Sequence, residues 1–143
     1  LAHPEEAYSV DVVIGDDARL LGFDAPVLEA QAGEALHLEL LWLALEDGPE
    51  AAAPVLQLQD DGGLVLAEAA SAPVGGRAPL SRMMEGQAVR DPVTVDLPDQ
   101  LPLGVYNLVV GRRRADGSWL SVRRGPYPLG TTYPLATIRI SEQ

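Results

Sequence analysis

Apolar residues return at every second position along most of this chain, the period of a strand that rests one face on a core. The clearest case is the stretch from Leu36 to Leu45. Leu36, Leu38, Leu40 and Trp42 share one side; His37 and Glu39 begin the other, and Leu41, Leu43 and Leu45 finish it. This strand is expected to start half-exposed and to end buried on both faces. Val55–Gln59 alternates again, with Leu56 and Leu58 inward and Gln57 and Gln59 outward. Asp60-Asp61-Gly62-Gly63 then supplies residues that tolerate the positive φ of a tight turn, and Leu64–Glu68 returns as the partner strand. Tyr8–Ile14 alternates loosely and Leu20–Phe23 is a short apolar run. Further strands are expected at Val89–Leu97, Val105–Arg113, Trp119–Arg123 and Pro134–Ile140, with Ala115-Asp116-Gly117-Ser118 turning a hairpin.

These runs amount to about eight to ten short strands separated by turn residues, with no helix–strand alternation to build a parallel sheet. The twelve prolines fall mostly between the runs, where a missing N–H costs no ladder bond. The pattern predicts an all-β fold, an immunoglobulin-like antiparallel β-sandwich. One corner carries its own signature. Val93, Val95 and Leu97 face one way, with Thr94 and Asp96 opposite, and Pro98 ends the strand. Leu101-Pro102-Leu103-Gly104 then crosses between sheets, and Tyr106 sits just inside the next strand. This is the pattern of a tyrosine corner, in which the hydroxyl bonds back to backbone a few residues upstream. Gly104, Tyr106 and Trp42 are the residues expected to matter structurally.

Composition narrows the function classes. The 143 residues, 47% of them hydrophobic, suffice for one domain over residues 1–143, with 1–7 expected to be a disordered terminus or linker. No cysteine is present, which removes disulfides, thiolate nucleophiles and cysteine-based zinc sites. The longest apolar run is far short of the roughly 20 residues that span a bilayer, so no direct membrane insertion is expected. The chain begins at Leu1, which suggests a fragment or processed product. Charge is uneven. Residues 1–68 hold fifteen acids and one arginine, residues 69–143 hold six acids and nine arginines, and the two halves, −14 and +3, make the net −11. An isoelectric point near 4.4 argues against nucleic acid as a partner.

The order of Leu21-Gly22-Phe23-Asp24, QAGEALHLELLW, QDDGGLVLAEA, GQAVRDPVTVDLP and LPLGVYNLVVG resembles an extracytoplasmic β-sandwich domain. That domain ends multi-pass bacterial membrane glycosyltransferases of the dolichyl-phosphate-mannose mannosyltransferase type and occurs in related surface proteins. The likeness covers about residues 18–140, and Trp42 matches the tryptophan that closes the long strand. The chain departs from the family at Pro54–Leu58, at Met84 where tryptophan is common, and at Arg112-Arg113. The resemblance implies a non-catalytic accessory or interaction domain. Its partner would be a glycan or the membrane-embedded part of the parent protein, and its place extracytoplasmic. A stand-alone carbohydrate-binding module is the alternative.

No catalytic constellation stands out. The serines lack a nucleophile elbow, His3 and His37 have no metal-ligand spacing, and Gly75-Gly76-Arg77 lacks the rest of a phosphate loop. Neither an enzyme activity, a cofactor nor a metal is expected. Asp16-Asp17, Glu46-Asp47 and Asp60-Asp61 offer oxygen ligands for calcium, but paired acids beside glycine are also ordinary turn residues. The candidate ligand-binding set is Arg112, Arg113, Arg114, Trp119, Arg123 and Arg124. If the Trp119 strand pairs with the Val105 strand, the two arginine clusters lie together across one hairpin, and five guanidiniums with Trp119, Tyr127 and Tyr133 are fit to grip an acidic or sugar ligand. The competing reading is that these arginines neutralise the acidic first half. Met83-Met84 either forms a docking patch or covers a sandwich edge.

Overall fold

The computed structural model describes residues 8–24, 29–70 and 82–141. The expectation for residues 1–7 and most of the loop between Ala70 and Arg82 lie outside them. Eleven strands are present among the described residues. In chain order they are β1 (Tyr8–Ile14), β2 (Ala18–Asp24), β3 (Glu29–Ala30), β4 (Ala35–Ala44), β5 (Ala53–Gln59), β6 (Val65–Ala70), β7 (Ala88–Asp96), β8 (Gly104–Arg113), β9 (Val122–Arg124), β10 (Tyr127–Gly130) and β11 (Tyr133–Ile140). They form two sheets, one in the order β10-β9-β1-β2-β4-β7 and the other β3-β11-β8-β5-β6. Every pairing is antiparallel except β3 with β11. The protein is an all-β sandwich, as the alternation implies.

Period two places the core. Leu36, Leu38, Leu40 and Trp42 of β4 are at most 5% exposed, and Val93 and Val95 of β7 lie opposite Leu38 and Leu36. The second sheet answers with Leu56 and Leu58 from β5, Leu108 and Val110 from β8, and Ile138 and Ile140 from β11, all in the same cluster. Each such side chain contributes about 1.5–3 kcal/mol by leaving water. The loose alternation of β1 has a local cause. A bulge between Ser9 and Val12, with Asp11 at φ 68°, inserts an extra residue and returns Val12 to the core face.

The corner is present. Tyr106 is 7% exposed and its hydroxyl donates to the Pro102 carbonyl at 2.6 Å. Gly104 opens β8 just before it. Trp42 is fully buried, and its indole N–H donates to the Asp91 carboxylate at 3.3 Å. Asp91 has the same parity as Val93 and Val95 on β7, so the alternation carries this acid to the inner face.

Four expectations need correction. The end of β4 is not buried on both faces: Leu41 and Leu43 are half-buried, because their cross-strand neighbours on the outer face are Arg90 and Arg19 rather than another layer. The strand count exceeds ten, because β3 and the fully exposed β10 are too short or too uniformly exposed to show alternation. Leu64 precedes β6, which runs on to Ala70. Trp119–Arg123 is not one strand. Trp119 makes a single bridge to Arg113, and the chain then leaves the second sheet to enter the first as β9, against β1.

Candidate functional site

Three connections meet at one end of the sandwich: the β1–β2 turn, the β4–β5 segment and the β8–β9 connection. Between them lies a cleft of about 340 Å³, lined by Gly15, Asp16, Asp17, Glu46, Glu50, Arg114, Trp119, Leu120 and Ser121. Its floor is organised by Arg112, which is fully buried. The Arg112 guanidinium donates to the carbonyls of Ile14 at 2.7 Å, Glu50 at 2.6 Å and Ala52 at 3.3 Å, and to the Asp17 carboxylate at 2.6 Å. One side chain from β8 thus ties the β1–β2 turn and the β4–β5 segment to the second sheet. The planar fork of arginine makes this geometry available.

Gly15 is what lets the β1–β2 turn come so close. It holds φ +71°, and a Cβ there would stand 2.6 Å from Leu120 Cδ1 and 3.0 Å from an Arg112 nitrogen. Asp17 also accepts the Glu50 N–H at 2.6 Å. Burial alone would raise the Asp17 pKa. The Arg112 hydrogen bond, the Glu50 amide and the Arg112 charge outweigh it and hold the carboxyl below its usual range. The wall beside it is Trp119. Gly111 gives the ring room, since a Cβ there would meet Trp119 at 2.8 Å and the Thr131 carbonyl at 2.7 Å.

The six candidate ligand residues separate. Arg112 forms the floor and is inaccessible. Arg113 lies over the Trp119 ring at 5.2 Å and donates to Glu68 at 2.5 Å; this bond, with one from Gln57, holds the Glu68 carboxyl below its usual range. Arg114 lines the cleft, paired with Glu50, whose hydrogen bond raises its pKa. Arg123 and Arg124 are carried to the first sheet by β9. There Arg123 approaches Asp16 at 3.3 Å, and Arg124 donates to the Tyr133 hydroxyl at 2.7 Å and stands over its ring. The single-hairpin cluster therefore does not form; Arg114 and Trp119 alone of the set line the cleft. Six of the seven ion pairs between described residues join an arginine of the second half to an acid of the first.

Three carboxylates of the cleft, Asp16, Asp17 and Glu46, come from acid pairs that read as turn residues or as oxygen ligands for calcium. Asp16-Asp17 and Glu46-Asp47 stand some thirty residues apart in the chain, and no local spacing links them. Asp47 accepts the Glu85 N–H at 2.8 Å, and Asp60 accepts two amides of its own turn. His37 lies on the outer face of the first sheet, 3.0 Å from the Thr94 hydroxyl, beside a shallow hollow with Asp24, Glu39 and Pro92. Met83 is buried and Met84 exposed.

Comparison with known proteins bears on the fold. The crystal structure of the C-terminal domain of wzt superposes with a TM-score of 0.61. The match is 14% identical and covers 99% of this chain and 81% of that one, a likeness of architecture alone. No family model matches the chain and no curated protein matches it. The glycosyltransferase resemblance therefore has no sequence match behind it, while the sandwich shared with the wzt domain spans nearly the whole chain.

Proposed function

We propose that this chain is a non-catalytic glycan-binding domain that uses the end cleft. The observation that carries the reading is the lining: one indole wall beside carboxylates and an arginine, in a volume within the small-ligand range. The charged acceptors and donors of the lining read sugar hydroxyls, and the indole adds an apolar contact beside them. Catalysis by paired carboxylates needs a carboxylic acid kept protonated near neutrality. Asp17 is pushed the other way and Glu50 is committed to Arg114, which supports a binding role.

The finer reading is an appended, extracytoplasmic domain of a membrane-anchored, glycosyltransferase-like protein. The resemblance of the strand-and-turn motifs supports it. So does the likeness to a domain that ends a longer chain. Blotting fractionated source cells for the native protein tests this part: a large membrane band supports it, and a soluble band near 15.2 kDa favours the stand-alone module.

Binding is tested by titrating the folded domain with oligosaccharides of neutral, amine-bearing and acidic composition. Trp42 is fully buried, so a fluorescence change reports on Trp119. Trp119→Ala, followed by calorimetry because the variant has lost the reporter, is expected to weaken binding about tenfold, the worth of roughly 1.4 kcal/mol of lost ring contact. Unchanged fluorescence with every glycan class overturns the proposal.

A further inference from the structure

We infer that the cleft selects an amine-bearing glycan over neutral and acidic ones; this rests on the glycan reading above. Four carboxylates line the cleft, Asp16, Asp17, Glu46 and Glu50, against one arginine, Arg114. The arginines nearby are spent. Arg114 is paired with Glu50, Arg112 is sealed beneath Asp17, and Arg123 meets Asp16. Glu46 is exposed and has no ion-pair partner among the described residues. The surplus charge at the mouth is negative, on a chain whose net charge is −11. A uronate or other acidic sugar meets like charge there with no free guanidinium to receive it. An ammonium group brings opposite charge and three donors to a wall made mostly of acceptors. A neutral N-acetyl sugar brings a single amide donor and no charge. Basic peptides share the charge of an amino sugar but lack the flat ring that the Trp119 wall would receive.

The test compares three oligosaccharides of equal length against the folded domain, read by Trp119 fluorescence: oligomers of glucosamine, of N-acetylglucosamine and of galacturonate. A lysine pentapeptide is the fourth ligand. Glucosamine oligomers are expected to bind best, about two- to fivefold tighter for each ammonium–carboxylate contact, with the advantage fading at high salt. Glu46→Gln is expected to remove much of that advantage while leaving the N-acetylated oligomer unchanged, and Asp96→Asn, on the outer face of β7, to leave both unchanged. Equal or tighter binding of the N-acetylated or galacturonate oligomer overturns the charge selection but leaves glycan binding standing. Binding of the peptide with no response to any glycan overturns both. Silence with all four overturns the selection as well.

Discussion

Tyr106 shows how one hydroxyl can hold a crossing between sheets. Its ring belongs to the core, and its oxygen satisfies the Pro102 carbonyl, which lies in a segment with no sheet partner. Tyr106→Phe keeps the ring and strands that carbonyl. The expected loss is about 1–3 kcal/mol by urea denaturation, the penalty for an unsatisfied, partly buried acceptor. A loss of a few tenths would mean that water replaces the hydroxyl and that the corner is held by packing alone. The corner residues were legible because proline, glycine and tyrosine stand at fixed offsets from a strand end. The partner of Arg112 was not legible. An arginine next to two others reads as a surface charge run, and only burial distinguishes the first from its neighbours.

At the scale of elements, the β8–β9 connection decides where the arginines go. Alternation placed Trp119 and Arg123 on one strand, yet Leu120 donates to the Arg112 carbonyl and the chain then changes sheets. The switch is what sets Trp119 between the second sheet and the cleft. Its seat is Gly111, on the same strand as the buried Arg112. Gly111→Ala is expected to push the indole off β8, because the backbone Thr131 carbonyl on the other side does not yield. The result should be a shifted Trp119 emission and weakened glycan binding in a domain that still folds. Unaltered emission and affinity would place the wall of the cleft elsewhere.

For the whole molecule, the Asp17–Arg112 pair is the clasp between the two sheets. β8 lies in one sheet and β1 in the other, and the pair joins them at the end that carries the cleft. Removing one partner of a buried pair leaves an uncompensated charge, so Asp17→Asn is expected to cost about 3 kcal/mol or more. The pH dependence has a definite sign. The Asp17 carboxyl titrates below its unfolded value, so it binds fewer protons folded than unfolded. Its stabilisation is therefore complete above the ordinary carboxylate range, about pH 5 and up, and is lost as pH falls through the lowered folded value. Acid titration of unfolding should show wild-type stability declining more steeply below about pH 4 than that of Asp17→Asn. Parallel curves would remove Asp17 from the acid response. The same scale accounts for the uneven charge: strands of the second half pair with strands of the first at β9–β1, β4–β7, β3–β11 and β8–β5, which brings the second-half arginines beside first-half acids.

Local sequence pattern was enough for the fold class, the turns at Asp60 and Asp116, the inner faces of β4, β5 and β7, and the tyrosine corner. Each depends on residues within a few positions of one another, where period two and turn chemistry act locally. Long-range packing settled which sheet receives β9, which arginine is buried, and that acids from the β1–β2 and β4–β5 connections share a cleft with Trp119. Those outcomes depend on contacts between residues as far apart as Asp17 and Arg112, and no local pattern encodes a pairing at that separation.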